Sequence, residues 1–343
     1  MPKQRAPRPT LAQVARAAGV SVGLASMCLT GAPGPAERTR EHVREVARRL
    51  GYRPNKAASV LARHEVRRIG VVFSLRQAFH AQVIEALYQA TASRGYELLL
   101  SAVTDDRAPQ EAAEHLIDSR CQAIILVSTH PDDIDVSAAI DTVPIVIVGS
   151  NRSSAAISSV SVDGWAGVRQ AMLYLQSAGH TRIAFADAPE ASGTVDRRLG
   201  YESAMQAAGT NAHSTIVHGG ETFQSGIQAA KRLQLLAQLP TAVVAHNDEC
   251  AAGIIFGLKI RGLQVPEHVS VVGFDDSGFA WQSGLRMTTL HQDVAQIAAL
   301  AVDEATRRIE SAAGGVRPAE ILVSPSLRIR DSSAPCSAKR LTA

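Results

Sequence analysis

Two adjacent carboxylates, Asp275 and Asp276, close the apolar run VSVVGF, while eleven histidines and four cysteines are spread through the 343 residues. Acid-base, nucleophilic or metal chemistry would have to be assembled from these side chains, so their spacing decides which reactions are open. Neighbouring side chains on a strand point to opposite faces, and Asp275 and Asp276 are therefore not placed to share one substrate. Cys28, Cys121, Cys250 and Cys336 show neither a CxxC nor a Cys/His ligand spacing, and they read as free thiols of a reducing compartment. GxSxG, P-loop and HExxH patterns are absent. The expectation is a protein that is not an enzyme and uses no cofactor and no metal.

A different chemistry is written at the N-terminal end. Residues 1–68 hold fourteen Lys/Arg against four Glu, a net charge of +10, which leaves −7 for the rest of a chain whose total is +3. A concentrated positive end on an acidic body is the footprint of a phosphate-backbone binder, with a solvated basic tail as the competing reading.

The elements that must carry this charge are short. In LAQVARAA, Leu11, Val14, Ala15 and Ala18 fall at helical spacing behind Thr10 as N-cap. Gly19-Val20 interrupts, and Ser21 offers a second N-cap to a helix with Leu24, Ala25, Cys28 and Leu29 on one face. Two helices joined by a turn carrying glycine make a helix-turn-helix. After GAPGP, residues 36–50 place Val43, Val46, Ala47 and Leu50 on one face; Gly51 and Pro54 end this third helix, and NKAASVLARH offers one more short helix.

From Arg68 onward, apolar β-branched runs (69–73, 96–103, 123–128, 143–149, 182–187, 241–246, 269–276) alternate with helical segments (81–94, 110–119, 165–178, 199–208, 224–237, 249–262, 291–310). Continuous apolar runs are strands buried on both faces, and their alternation with helices predicts parallel, doubly wound sheets. The fold class expected is an all-α headpiece followed by an α/β core of two such lobes, with ligand where strand C-terminal ends face a cleft. No apolar run approaches the ~20 residues of a membrane span, and the basic N-terminus lacks an apolar export segment, so a cytoplasmic location is expected.

In order and spacing the chain resembles the LacI/GalR family of repressors from about Thr10 to about Arg330. The headpiece carries the resemblance in Thr10-Leu11, Val14-Ala15, Ala18-Gly19-Val20-Ser21, Ser26, Thr39-Arg40-Glu41 and Leu50-Gly51-Tyr52-Arg53-Pro54-Asn55. The core carries it in Ile69-Gly70-Val71-Val72, Gly179-His180, Arg197-x-x-Gly200-Tyr201, Asn247-Asp248, Val271 to Asp276 and Thr288-Thr289. The resemblance implies a transcriptional repressor: a homodimer on a pseudo-palindromic double-stranded DNA operator, controlled by a small sugar-like effector, with a core like periplasmic binding proteins. It divides the chain into a headpiece at 8–53, a hinge at 54–67 and a core at 68–330. Within the core, 69–161 and 291–320 make one lobe, and 162–290 and 321–330 the other. Residues 331–343, lacking a leucine heptad, are expected to be a disordered tail.

Carried over residue by residue, the resemblance assigns Val22, Gly23 and Met27 to base reading, and Thr10, Ser21, Ser26, Thr39 and Arg40 to phosphate anchoring. Leu61 matches the family's minor-groove wedge, with Asn55, Lys56 and Ala58 as neighbouring contacts; its competing reading is a dimer-packing leucine. The sequence departs from the family here, since none of Ser21 to Thr30 is Arg, Lys, Asn or Gln. Direct readout should be weakened and rest on apolar contacts, the basic arm at Arg5 and Arg8, and the hinge.

For the effector the resemblance assigns Arg197, Asn247 and Asp275, whose fork, amide and carboxylate suit a polyhydroxylated ligand, together with Phe79 and His80. Gly149 stands where relatives often carry Asp, and Glu221 where they often carry an aromatic. Phe223 or Trp165 is then the alternative stacking surface, with core packing as the competing role. A solute-binding protein or an enzyme of polyhydroxylated ligands is the alternative from another class. The basic headpiece and the missing export signal speak against the first, the absent catalytic motifs against the second.

Overall fold

The computed structural model describes residues 9–30, 32–52, 67–75, 77–128, 143–150, 157–210, 213–282, 286–311 and 317–336. The chain separates into two compact units, Met1–Val66 and Arg67–Ala343.

The first unit holds α1 (Leu11–Ala17), α2 (Val22–Thr30) and α3 (Glu37–Arg49). Thr10 and Gln13 close a reciprocal capping box on α1, and Ser21 Oγ accepts from the Leu24 amide at 3.1 Å to start α2. Between them Gly19 adopts φ +69°, a left-handed conformation that costs a glycine little, and the two helix axes diverge by 102°. Val14, Ala15, Ala18, Ala25, Cys28, Val43, Val46 and Ala47 are buried together, so the expected miniature core is present. Leu50 differs: it is the C-cap of α3 and stands exposed, because the helix has already ended where its face would meet the core.

The second unit begins with a sheet of β1 (Arg68–Ser74), β2 (Glu97–Val103), β3 (Ala123–Val127), β4 (Ile145–Val148), β5 (Ile157–Val162) and β11 (Glu320–Val323). Its order is β11-β5-β4-β3-β1-β2, parallel throughout. The other lobe's sheet contains β6 (Ile183–Asp187), β7 (Thr215–His218), β8 (Ala242–Ala245), β9 (Ser270–Asp275), β10 (Thr288–His291) and β12 (Ser326–Arg328). It runs β12-β10-β9-β8-β6-β7, parallel except where β12 lies antiparallel to β10. Strands β3, β4, β6, β8 and β9 are buried along their whole length, as continuous Val/Ile/Ala runs require.

Helices cover both faces of each sheet. In the first lobe these are α4 (Ala78–Ser93), α5 (Pro109–Asp118) and the returning α11 (Val294–Glu310). In the second they are α6 (Gly164–Ser177), α7 (Thr194–Ala207), α8 (Phe223–Gln234) and α9 (Asp248–Lys259), with the short α10 (Phe279–Gln282) beside them. Helices α8 and α9 meet so closely that a Cβ on Gly253 would lie 2.0 Å from the Phe223 carbonyl oxygen, and one on Gly226 2.1 Å from that of Cys250.

The chain passes between lobes after β5, after β10 and after β11. The first two passages are pinned by Asp163 and Asp293, which cap α6 and α11 by accepting from Ala166 N (2.8 Å) and Gln296 N (2.9 Å). The third passage corrects a boundary: residues 320–323 pair with β5 in the first lobe, so the return to the second falls between Val323 and Ser326, not at 321. Strands β5, β7, β10, β11 and β12 have no counterpart among the apolar runs. In β5 serines occupy buried positions, and Ser158 Oγ donates to Glu304 Oε1 of α11 at 2.6 Å, a polar pairing that hydrophobic pattern cannot announce.

The end of the chain needs a larger correction. Residues 331–336 are not a disordered tail but pack along the second lobe. The Val271 amide donates to Ser332 O (2.8 Å), Ser332 Oγ donates to Val271 O (2.5 Å), and the Thr288 amide donates to Ser332 Oγ (2.8 Å). Ser333 Oγ lies 2.9 Å from Tyr174 Oη, and the Cys336 amide donates to Ala178 O at 2.8 Å. Low hydrophobicity hid this segment, since it is held by hydrogen bonds rather than by apolar burial. Residues 337–343 lie outside the described residues.

Candidate functional site

In the helical unit, α2 begins with Val22 and Gly23 exposed behind the Ser21 cap. Val22 and Met27 are among the exposed large apolar side chains, and a Cβ on Gly23 would meet nothing within 4 Å. The face assigned to base reading is thus open. Ser26 and Thr39 are half-buried, and the Thr10 hydroxyl accepts from the Gln13 amide at 3.3 Å. Arg40 is turned inward, donating through Nη2 to Ala32 O (2.6 Å) and through Nε to Pro35 O (3.2 Å), so its guanidinium braces the loop before α3. Arg16, Arg38, Arg44, Arg48 and Arg49 are the exposed basic side chains of this unit among the described residues. Asn55, Lys56, Ala58 and Leu61, and the arm at Arg5 and Arg8, lie outside the described residues.

In the α/β unit, Asp275 ends β9 and Arg197 lies on the first turn of α7, both nine-tenths buried. The Arg197 guanidinium sits 3.7 Å over the Phe274 ring, donates through Nη1 to His246 O at 2.5 Å, and keeps Nη2 3.9 Å from Asp275 Oδ1. Gln292, just past β10, donates to the same Oδ1 at 2.7 Å. Burial pushes the Asp275 carboxyl up to about 7, with Arg197 and Gln292 pulling the other way. Burial also works against the charge on Arg197, opposed first by Asp275 and then by Glu221. Arg197 Nε and His246 Nδ1 are buried without a hydrogen-bond partner, and burial, reinforced by Arg197, holds the His246 imidazole neutral.

Asn247 is the N-cap of α9, accepting from Cys250 N at 2.8 Å and donating through Nδ2 to Glu221 O at 2.9 Å. Asp248 is sealed: it accepts from Ser277 N (2.7 Å) and from Thr289 Oγ1 (2.5 Å), and so holds the ends of β9 and β10 in place. Asp276 lies just past the end of β9 and points away from its neighbour toward His291 Nδ1 (3.2 Å) and Arg330 Nη2 (2.7 Å), so the turn, rather than strand alternation, separates the two carboxylates. Asp275 and Asp276 both have positive φ, 111° and 56°, a backbone cost concentrated where the strand hands its side chains to the cleft.

The first lobe faces this wall with the turn after β1. The Gln77 amide donates to Glu221 Oε1, joining the lobes, and Ser192 Oγ donates to Ser128 O at 3.4 Å. Burial raises the Glu221 carboxyl, with Gln77 and Arg197 opposing. Gly149 follows β4 at φ +90°, and a Cβ there would stand 2.9 Å from Ser128 Oγ, so this position offers backbone only.

The site is thus brought together around Arg197, Asn247 and Asp275, but not around every residue assigned to it. His80 is buried, its Nδ1 2.9 Å from Ser74 O and its Nε2 unpartnered, and burial lowers its pKa. Phe79 is half-buried against the first lobe's core. Phe223 packs against Phe256 at 5.6 Å, and the exposed Trp165 carries Arg169 over its ring at 4.5 Å. Gln77, His246 and Gln292 were not foreseen. Each sits one or two residues past a strand or just ahead of a helix, and that position is the one signal that marked them. Among the described residues no three His, Cys, Asp or Glu are grouped to hold a metal, and no single helix is long and apolar enough to cross a membrane.

Comparison with known proteins agrees with this architecture. Residues 10–55 match the profile of bacterial regulatory proteins of the lacI family, and residues 172–333 match that of the periplasmic binding protein-like domain. The transcriptional regulator GalS of Salmonella typhimurium is 32% identical over 89% of this chain and 90% of its own. The crystal structure of a LacI transcriptional regulator from a Rhodococcus species superposes with a TM-score of 0.74 at 38% identity, over 78% of this chain and 99% of that one. The structure of the regulator CelR with cellobiose gives 0.70 at 28%, over 95% of this chain and 100% of that one. The chain belongs to the lacI family of bacterial regulatory proteins and is a DNA-binding transcriptional regulator.

Proposed function

We propose that the protein is a cytoplasmic repressor that binds operator DNA as a homodimer and is controlled by a small polyhydroxylated ligand held by Arg197, Asn247 and Asp275. The observation that carries the ligand reading is the buried Arg197–Asp275–Gln292 group at the C-terminal ends of parallel strands, with polar capacity left over on Arg197 Nε. Buried polar groups without partners are costly, and a ligand supplying hydroxyls would satisfy them. That CelR is seen with cellobiose supports the same class. Residues 8–53 would serve as the DNA-reading headpiece, with Val22, Gly23 and Met27 toward base edges, and 54–67 as the hinge in which Leu61, Asn55, Lys56 and Ala58 meet the minor groove. Thr10, Ser21, Ser26 and Thr39 would meet phosphates, whereas Arg40 would orient the loop before α3.

An open apolar groove of about 570 Å³ lined by Phe73, Ile84, Tyr88 and Leu100 favours a second copy as the partner of the first lobe. Ligand bridging the lobes would shift their relative angle, and the dimer would pass this to the paired headpieces. A thermal-shift screen with mono- and disaccharides tests the pocket. A true ligand at a hundred times its Kd stabilises by about 2.7 kcal/mol through mass action, and Arg197→Lys, which lacks the planar fork, should abolish the shift. An equal shift in the variant refutes the assignment.

A further inference from the structure

We infer that the cleft is built for a small polyol carrying a protonated amine, as in an amino sugar, and that Glu221 is the side chain that reads the amine; this rests on the proposed role of the cleft. Three observations converge. The first is charge. Asp275 and Glu221 both lie within electrostatic reach of Arg197, and Glu190 and Glu249 add negative potential at Glu221, so among the described residues several carboxyl groups face a single guanidinium. That guanidinium is also poorly committed to them, since it stops 3.9 Å from Asp275 and spends its short hydrogen bond on the His246 carbonyl. Burial raises the Asp275 and Glu221 carboxyls toward their neutral form; a neutral polyol leaves them so, whereas an ammonium beside them favours the charged form and gains a charge-assisted bond.

The second observation is position. The main chain of Glu221 is fixed because its carbonyl accepts from Asn247, the residue that caps α9, so the carboxylate is presented from a rigid point of the wall. Its oxygen already takes an N–H across the cleft from Gln77, a neutral donor that occupies the place an ammonium would take with a charge-assisted bond. The third observation is that the candidate aromatic rings are already engaged. Arg197 covers Phe274, Phe223 is packed on Phe256, and Trp165 is engaged by Arg169. Each of these rings already carries a partner, and Phe79 packs on the first lobe's core, so the recognition inferred here is assigned to charge and hydrogen bonds.

The test is titration calorimetry of the full chain with glucosamine, galactosamine, glucose and galactose at one pH and salt, repeated with Glu221→Gln and Gln77→Ala. At least one amino sugar should bind the native protein tenfold or more tighter than its neutral counterpart. Glu221→Gln should lose that preference while still binding the neutral sugar, and Gln77→Ala, which keeps the carboxylate, should retain it. Equal affinity for amino and neutral sugars, or an amine preference that survives in Glu221→Gln, overturns the inference and leaves the sugar-pocket reading standing. Failure of all four sugars to bind overturns both. Circular dichroism and the urea midpoint of each variant separate loss of folding from loss of recognition.

Discussion

Asp275→Asn should change how stability depends on pH, by an amount that the burial of Asp275 sets. In the folded chain its carboxyl titrates near 7, against about 3.8 when free in water. A carboxyl raised in this way still holds its proton in the folded state over a range where the unfolded chain has released it. Its contribution is therefore fully present below about pH 4 and is lost as the pH climbs through 7. One pH unit inside that window is worth about 1.36 kcal/mol, and between pH 5 and pH 8 only the two units up to 7 count, so this one group removes about 3 kcal/mol. Asparagine keeps an oxygen for the Gln292 amide and has nothing to ionise. Urea unfolding of the ligand-free native protein and the variant at pH 5, 6, 7 and 8 measures the difference directly. Both tryptophans, Trp165 and Trp281, lie in the second lobe, so their fluorescence follows the lobe that contains Asp275. The stability gap should move by about 3 kcal/mol toward the variant from pH 5 to pH 8 and change little beyond. A gap that does not move with pH refutes the reasoning, whatever its size.

Other outcomes follow from the same geometry. Gly253→Ala should destabilise the second lobe by about 3 kcal/mol, since the added carbon would sit 2.0 Å from the Phe223 carbonyl and force α8 and α9 apart; an unchanged urea midpoint contradicts this close approach. Truncation after Arg330 should lower the melting temperature by several degrees, because it strips partners from Val271, Thr288, Tyr174 and Ala178; a truncated chain as stable as the native one means the segment is dispensable. Met27→Ala should relax the preference among operator variants while leaving non-specific affinity at fixed salt almost unchanged; an unaltered preference removes Met27 from base reading.

Much of this was legible in the residues, for reasons that differ from part to part. The apolar strands β1, β3, β4, β6, β8 and β9 announce themselves because a strand buried on both faces leaves no polar position to blur the pattern. The trio Arg197, Asn247 and Asp275 was reached through order and spacing along the chain, and the fold does bring Arg197 and Asp275 within 3.9 Å of each other. What escaped was held by polar contacts. Strand β5 hides behind buried serines, of which Ser158 answers Glu304, residues 331–336 hide behind small hydroxyls that answer backbone amides, and Gln77 answers Glu221 from 144 residues away. Such pairings have no period, so local sequence carries no trace of them. Arg40 shows the converse: its place in a family pattern suggests a phosphate contact, whereas its neighbours show a brace on the preceding loop.

In the function proposed above, the basic first unit grips duplex DNA and occupancy of the cleft sets the grip. Selection of bound duplexes from a random library by the full-length protein, followed by affinity measurement of the winners at 50 and 200 mM salt, tests it most directly. The expected result is an enriched motif of two inverted half-sites, with affinity falling by roughly a thousandfold or more across that salt range as phosphate-bound counterions are released. No enriched sequence, together with binding that is absent or indifferent to salt, would contradict it.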